Sequence, residues 1–201
     1  MSELANASVP VREDITAMEV RSFAALAAPG GSLSGEERVA LAEAARGLDG
    51  SGRLEEFARH LYSSPATVTA EHVRNAADDA GDPQTVETIG IVARLSALDR
   101  LHVVLGVDLE PLPTPQPGPA TGEITKGLKR RRGHVPMPPG PIPMTLDLVP
   151  SEAEAFRAMF APLYMTEEQM GDPQFAREPG LNTPQLETIA GRISMLNECF
   201  Y

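Results

Sequence analysis

Cys199 is the only cysteine in the 201 residues, and Glu187 stands twelve positions before it. A cysteine thiolate attacks a peroxide oxygen and is left as a sulfenic acid, which a second thiol converts to a disulfide. Placement at a helix N-terminus would favour the thiolate through the partial positive charge there. With a single thiol, this chain can complete neither the second step nor an internal disulfide. In one continuous helix Glu187 and Cys199 would lie about 18 Å apart, too far for direct proton transfer. They can cooperate only if the chain reverses after Asn197-Glu198 and a following helix packs back toward Glu187. The plainer reading makes Cys199 a small side chain near the end of the chain. Glu187 is then a solvated first-turn carboxylate stabilised by the helix dipole.

Other reactive residue types are not patterned for chemistry. His60, His72, His102 and His134 are dispersed, with neither ligand spacing nor an acidic cluster beside them, so no metal is expected. His102 lies in the apolar run LDRLHVVLGV and reads as a satisfied buried or interfacial histidine rather than a catalytic base. No phosphate-cradling glycine loop or dinucleotide fingerprint follows a strand, so no cofactor is expected. Lys126, Lys129, Arg130, Arg131 and Arg132 form a short basic run without interleaved aromatics, which reads as a charged linker or helix end. The net charge of −11 repels a phosphate backbone, so no nucleic-acid partner is expected. No stretch approaches the ~20 apolar residues of a membrane span, and the opening MSELANASVPVRED has no apolar signal core. With the lone thiol, these features point to a reducing, cytoplasmic setting without a membrane partner.

The elements that would position these residues read as helices. Ile15, Met18, Phe23 and Leu26 fall on one face before Pro29-Gly30-Gly31. Ser34 and Glu37 form a capping-box pattern ahead of Val39, Leu41, Ala42, Ala45 and Leu48. Leu54, Phe57, Ala58 and Leu61 mark a third helix. Thr69 starts a fourth, and Asp82 as a cap with Pro83 as the preorganised first residue opens a long fifth that is apolar around much of its circumference, as a central helix buried on several sides would be. Pro111, Pro113, Pro115, Pro117 and Pro119 then deny a helix its donors, which divides the chain into residues 1–110, an extended linker at 111–123, and residues 124–201. The second proline-rich stretch, at 134–144, reads as a structured loop or packing segment. Ser151 and Glu154 suggest another capping box ahead of Phe156, Met159 and Phe160. The last helix begins near Asn182 with the stripe Leu186, Ile189, Ala190, Ile193 and Leu196. No strand alternation is comparably strong, so the fold class expected is all-α.

The segments 33–51 and 181–199 align without a gap at a separation of 148 residues. Leu33 pairs with Leu181, Ser34 with Asn182, Leu41 with Ile189, Ala42 with Ala190 and Leu48 with Leu196. Val39 falls opposite Glu187 and Ser51 opposite Cys199, so a carboxylate–thiol site could exist only in the second copy.

LNTPQLETIAGRISMLNECFY resembles the segment L-[ST]-P-x-x-x-E…LNGCxYC of alkylhydroperoxidase D-like (carboxymuconolactone decarboxylase-like) proteins. The stretch GEITKGLKRRRGHVPMPPGPIPM with SEAEAFRAMFAPLY looks like that family's lead-in to its active-site helix, and SLSGEERVALAEAARG resembles the lead-in a second time. FARHLYSSPATVTAEHV…AGDPQTVETIGIVARLSALDRLHVVLGVDLEP looks like the family's distal half. The resemblance implies a helical bundle of the alkylhydroperoxidase D-like type, a homo-oligomer, and peroxide reduction by a pair of cysteines assisted by a glutamate and a histidine. Cys199 matches the first cysteine and Glu187 the glutamate. The second cysteine and the histidine would stand three and seven residues beyond Cys199, outside these 201 residues; in the first copy Leu54 and Ala58 take their places. Residues 1–110 therefore read as a degenerate domain of this type and 124–201 as part of a second. The function implied is a thiol oxidoreductase whose site is completed by a partner copy or further residues, served by an external thiol reductant. A noncatalytic helical assembly or protein-interaction protein is the alternative.

Overall fold

The computed structural model describes residues 2–131, 134–172, 174–176 and 180–196. The chain divides into two compact units, Met1–Met159 and Phe160–Tyr201.

In the first unit the local signals determine the helix ends. Helix α1 (Glu13–Ala27) opens on two carboxylates that suit the positive end of its dipole. Helix α2 (Gly35–Ala45) has the expected capping box: Ser34 Oγ accepts from the Glu37 amide, and Glu37 accepts from the Ser34 amide. It stops at Ala45, and Gly47 follows at φ +81°, so Leu48 lies beyond the helix and is 58% exposed instead of facing the core. Helices α3 (Arg53–Ser63) and α4 (Ala70–Ala80) follow, the latter capped by Thr69 with His72. Helix α5 (Asp82–Leu105) takes in Asp82 as its first residue, with Gly81 at the cap position, so Asp82 is not the cap and Pro83 is second in the first turn. It ends at Gly106, whose left-handed φ of 69° lets its N–H turn back to the His102 and Val103 carbonyls. Met18, Leu26, Leu41, Ala42, Ala58, Ile91, Leu95 and Leu98 pack these helices into an all-α bundle around α5.

The proline-rich residues after α5 run without regular structure along the same unit. The amides of Gln116, Thr121 and Gly122 donate to the carbonyls of Ala27, Gly30 and Gly31. The basic run contributes a strand rather than a helix end: β1 (Lys129–Arg130) pairs antiparallel with β2 (Pro136–Met137), and Arg130 reaches Asp82 at 2.8 Å. A 3-10 turn at Ile142–Leu148 then brings Val135, Leu146, Leu148 and Val149 against Val86 of α5. Helix α6 (Pro150–Leu163) starts two residues earlier than its capping pattern suggests. Proline at the first helical position is preorganised and lacks only an amide that no helix would use, so Ser151 lies inside the helix rather than capping it.

The second unit holds the end of α6, the short α7 (Glu167–Met170) and α8 (Thr183–Leu196). Asn182 and Gln185 cap α8 reciprocally at 3.0 Å. Thr183 is nearly buried, its amide and hydroxyl both donating to the Phe175 carbonyl. Among the described residues, no helix is long and apolar enough to cross a membrane.

Candidate functional site

Glu187 is the fifth residue of α8 (Thr183–Leu196), one position past the first turn, which holds no acidic residue, so it is not the first-turn carboxylate that the sequence suggested. It is exposed, and its Oε1 accepts a hydrogen bond of 2.7 Å from the Tyr164 hydroxyl. Desolvation, and then that carboxylate, push the Tyr164 phenol up to about 12, so it remains a neutral donor through the physiological range. Cys199 lies outside the described residues. Beyond Glu187, α8 exposes the stripe seen in the sequence, with Ile189 at 46%, Ile193 at 52% and Leu196 at 66%. At the corresponding positions Leu41, Ala42 and Ala45 are buried, whereas Leu48, opposite Leu196, is exposed as Leu196 is. The two aligned helices thus share caps and spacing but not cover. The α2 copy has Val39, buried and apolar, where α8 has Glu187.

The first unit encloses a charged centre that periodicity alone does not reveal. Arg38 of α2, Glu87 and Arg94 of α5, and Glu152 of α6 are all 2% exposed or less. Arg38 Nη1 contacts Glu87 Oε1, and its Nη2 lies 2.7 Å from Glu152 Oε1. Arg94 Nη2 meets Glu152 Oε2 at 2.8 Å. Glu87 Oε2 accepts from both the amide and the hydroxyl of Ser32, at 2.8 and 2.7 Å. Arg38 also donates to the Ala25 and Leu26 carbonyls, which the end of α1 leaves without helical partners. Two glycines make room. A Cβ on Gly30 would stand 1.7 Å from Glu87 Oε1, and one on Gly90 would stand 2.4 Å from Glu152 Oε2.

Two cations facing two anions close the charge balance of this centre. Burial opposes the Glu152 charge, but Arg94 and Arg38 outweigh it and hold the carboxyl below its ordinary range. Burial likewise opposes the Arg38 charge, and the two glutamates more than offset it. Arg38 and Glu152 therefore hold their charges rather than trading a proton. It floors a cleft of ≈310 Å³ lined by Met18, Ser22 and Ala25 of α1 and by Ala155 and Ala158 of α6. A usable sequence signal was present: Glu87 and Arg94 sit seven apart inside a helix apolar on most sides, where a charge must find an opposite charge.

A second buried polar group surrounds His102. Its Nε2 contacts Glu19 Oε1 of α1, its Nδ1 faces the Asp108 carbonyl, and the Glu110 carboxylate stands beside them. One ligand-capable atom from each of Glu19, His102 and Glu110 lies within 4.8 Å of the others. The 3-10 turn Glu3–Asn6 adjoins this group: Ser2 Oγ donates to Glu19, and the Glu3 amide donates to Glu110 Oε2 at 2.8 Å. Burial disfavours charge on the imidazole, but Glu19, the Asp108 carbonyl and Glu110 together raise its pKa above the ordinary value. The sequence reading of His102 as a satisfied histidine holds in its buried form. Its acidic neighbours lie outside the local spacing, Glu19 being 83 residues away. No protein-family model, curated protein or solved structure matches the chain.

Proposed function

We propose that this chain is an alkylhydroperoxidase D-like protein in which Cys199 and Glu187 form half of a peroxide-reducing thiol site, completed by a second thiol. The Cys199 thiolate attacks a peroxide oxygen: an S–O bond forms, the O–O bond breaks, and the departing alkoxide takes a proton. Cysteine is oxidised to sulfenic acid and the peroxide is reduced to an alcohol. Cys199 of a second copy, or an external thiol, then attacks the sulfenic sulfur, forming a disulfide and releasing water. An external dithiol returns both sulfurs to the reduced state. The observation supporting this reading is the Tyr164–Glu187 hydrogen bond at the start of α8. It holds the carboxylate that the family resemblance assigns to proton movement, with a neutral donor on one oxygen.

The test is stopped-flow oxidation of the full chain by hydrogen peroxide and an alkyl hydroperoxide, followed by Cys199 thiol titration. Stoichiometric thiol loss well above the rate of a free model thiol is expected, with recovery by a dithiol. Glu187→Gln should slow it by about 10²-fold, the lower end of general acid–base contributions. Oxidation at the rate of the free thiol overturns the assignment.

A second reading, a noncatalytic helical assembly, is favoured by the exposed stripe Ile189, Ile193 and Leu196. Retained self-association in Cys199→Ser, together with peroxide reactivity no greater than that of a free thiol, would select it.

A further inference from the structure

We infer that Glu19, His102 and Glu110 form a binding site for a divalent transition-metal cation of the Zn²⁺ class. The inference does not rest on the thiol reading, because these residues lie on α1, α5 and the segment after α5, within the first unit.

Proton bookkeeping leads to the cation. His102 Nδ1 faces a backbone carbonyl, which can only accept, so Nδ1 carries the hydrogen. In a neutral ring that leaves Nε2 as a bare acceptor. Nε2 nevertheless faces Glu19 Oε1, another acceptor, with both side chains 1% exposed. Something positive must lie between them, either a second ring proton or a metal ion. A second proton gives one imidazolium against two carboxylates, leaving one negative charge in excess, with Glu19 and His102 buried and Glu110 half-buried. A divalent ion with a neutral ring and two carboxylates closes the balance at zero.

Arg46 does not supply the missing charge. Its guanidinium is engaged in a two-pronged pair with Asp99, at 3.0 and 2.6 Å, and meets Glu110 only through the backbone carbonyl, at 2.8 Å. The Nδ1–H to carbonyl contact is also the arrangement that fixes a metal-binding histidine with Nε2 free for the ion. One nitrogen and two carboxylate oxygens suit zinc and its first-row neighbours and leave a coordination position for water. Bonds of about 2.0–2.2 Å at tetrahedral angles need donors roughly 3.3 Å apart. The His102–Glu19 contact would open, and Glu110, only half-buried, would swing in.

The experiment is calorimetric titration of Zn²⁺ into chelator-treated full-length protein, with bound metal counted after gel filtration. One Zn²⁺ per chain is expected, and it should persist in Cys199→Ser and in His72→Ala, which remove the thiol and disrupt the exposed His60/His72 pair. Affinity should fall roughly a hundredfold in Glu110→Gln and in His102→Gln, a loss at the upper end of that seen on removing outer-shell support. Circular dichroism checks that both variants fold, and Glu110→Gln keeps the test available if His102→Gln does not. No stoichiometric binding, or binding unchanged in Glu110→Gln, overturns the site. Nitrogen NMR of a doubly protonated His102 ring that stays unchanged in excess Zn²⁺ does the same.

Discussion

Glu152 shows how much a single side chain can carry when it is shut away from water. Its two oxygens each face a different arginine, and Arg94 Nε has no hydrogen-bond acceptor among the described residues. Replacing a buried ion pair with well-packed apolar groups is often neutral, but removing one partner strands the other charge. Glu152→Gln should therefore destabilise the first unit by about 3–5 kcal/mol, read as a lower urea midpoint at unchanged slope. The pH dependence has a definite sign. The folded carboxyl is held below its ordinary 4.5. Its stabilisation is therefore complete above that value and is lost as pH falls through the lower folded value. Urea midpoints measured from pH 6 down to pH 3 should drop in the native protein and stay flatter in Glu152→Gln. This centre was hard to read from sequence because its pairs span 49 and 58 residues. A reading based on local spacing sends each charge to solvent by default.

Asp99 of α5 ties three helices together. It receives the Arg46 guanidinium just past the end of α2 and, at 2.6 Å, the Tyr62 hydroxyl of α3. Burial and then the Asp99 acceptor push the Tyr62 phenol up to about 12, so the donor keeps its proton. Asp99→Asn should cost about 3 kcal/mol because it strands Arg46, whereas Tyr62→Phe should cost about 1 kcal/mol. Urea melts of both singles and the double variant should show less than additive loss, since both remove the same Tyr62–Asp99 hydrogen bond. At this scale much was legible. Ser34 with Glu37, Pro83 after Asp82, and Asn182 ahead of α8 place helix starts because each supplies an acceptor for orphan amides or a preset φ. The short strand pair was not legible, since two residues per strand give no alternation to detect. Ser151 misled because serine three residues before glutamate is a cap only when no better first residue precedes it, and Pro150 does.

At the scale of the whole molecule, the aligned helices α2 and α8 differ in what covers them. In the proposed homo-oligomer a second copy of the chain would cover Ile189, Ile193 and Leu196. Ile193→Asp should shift the mass seen in sedimentation to that of a single chain and leave circular dichroism unchanged. With a net charge of −11, copies repel one another, so association of the native protein should strengthen as salt rises. All-α organisation was legible from helical periodicity, but exposure was not, because a stripe looks the same in sequence whether or not anything covers it. The proline-rich stretch after α5 has a different consequence. Gln116, Thr121 and Gly122 are stitched to the backbone around the end of α1, so a protease that must thread an extended strand into its cleft would first have to peel this strap away. A stretch whose composition advertises a cleavable tether is thereby guarded by its own amides.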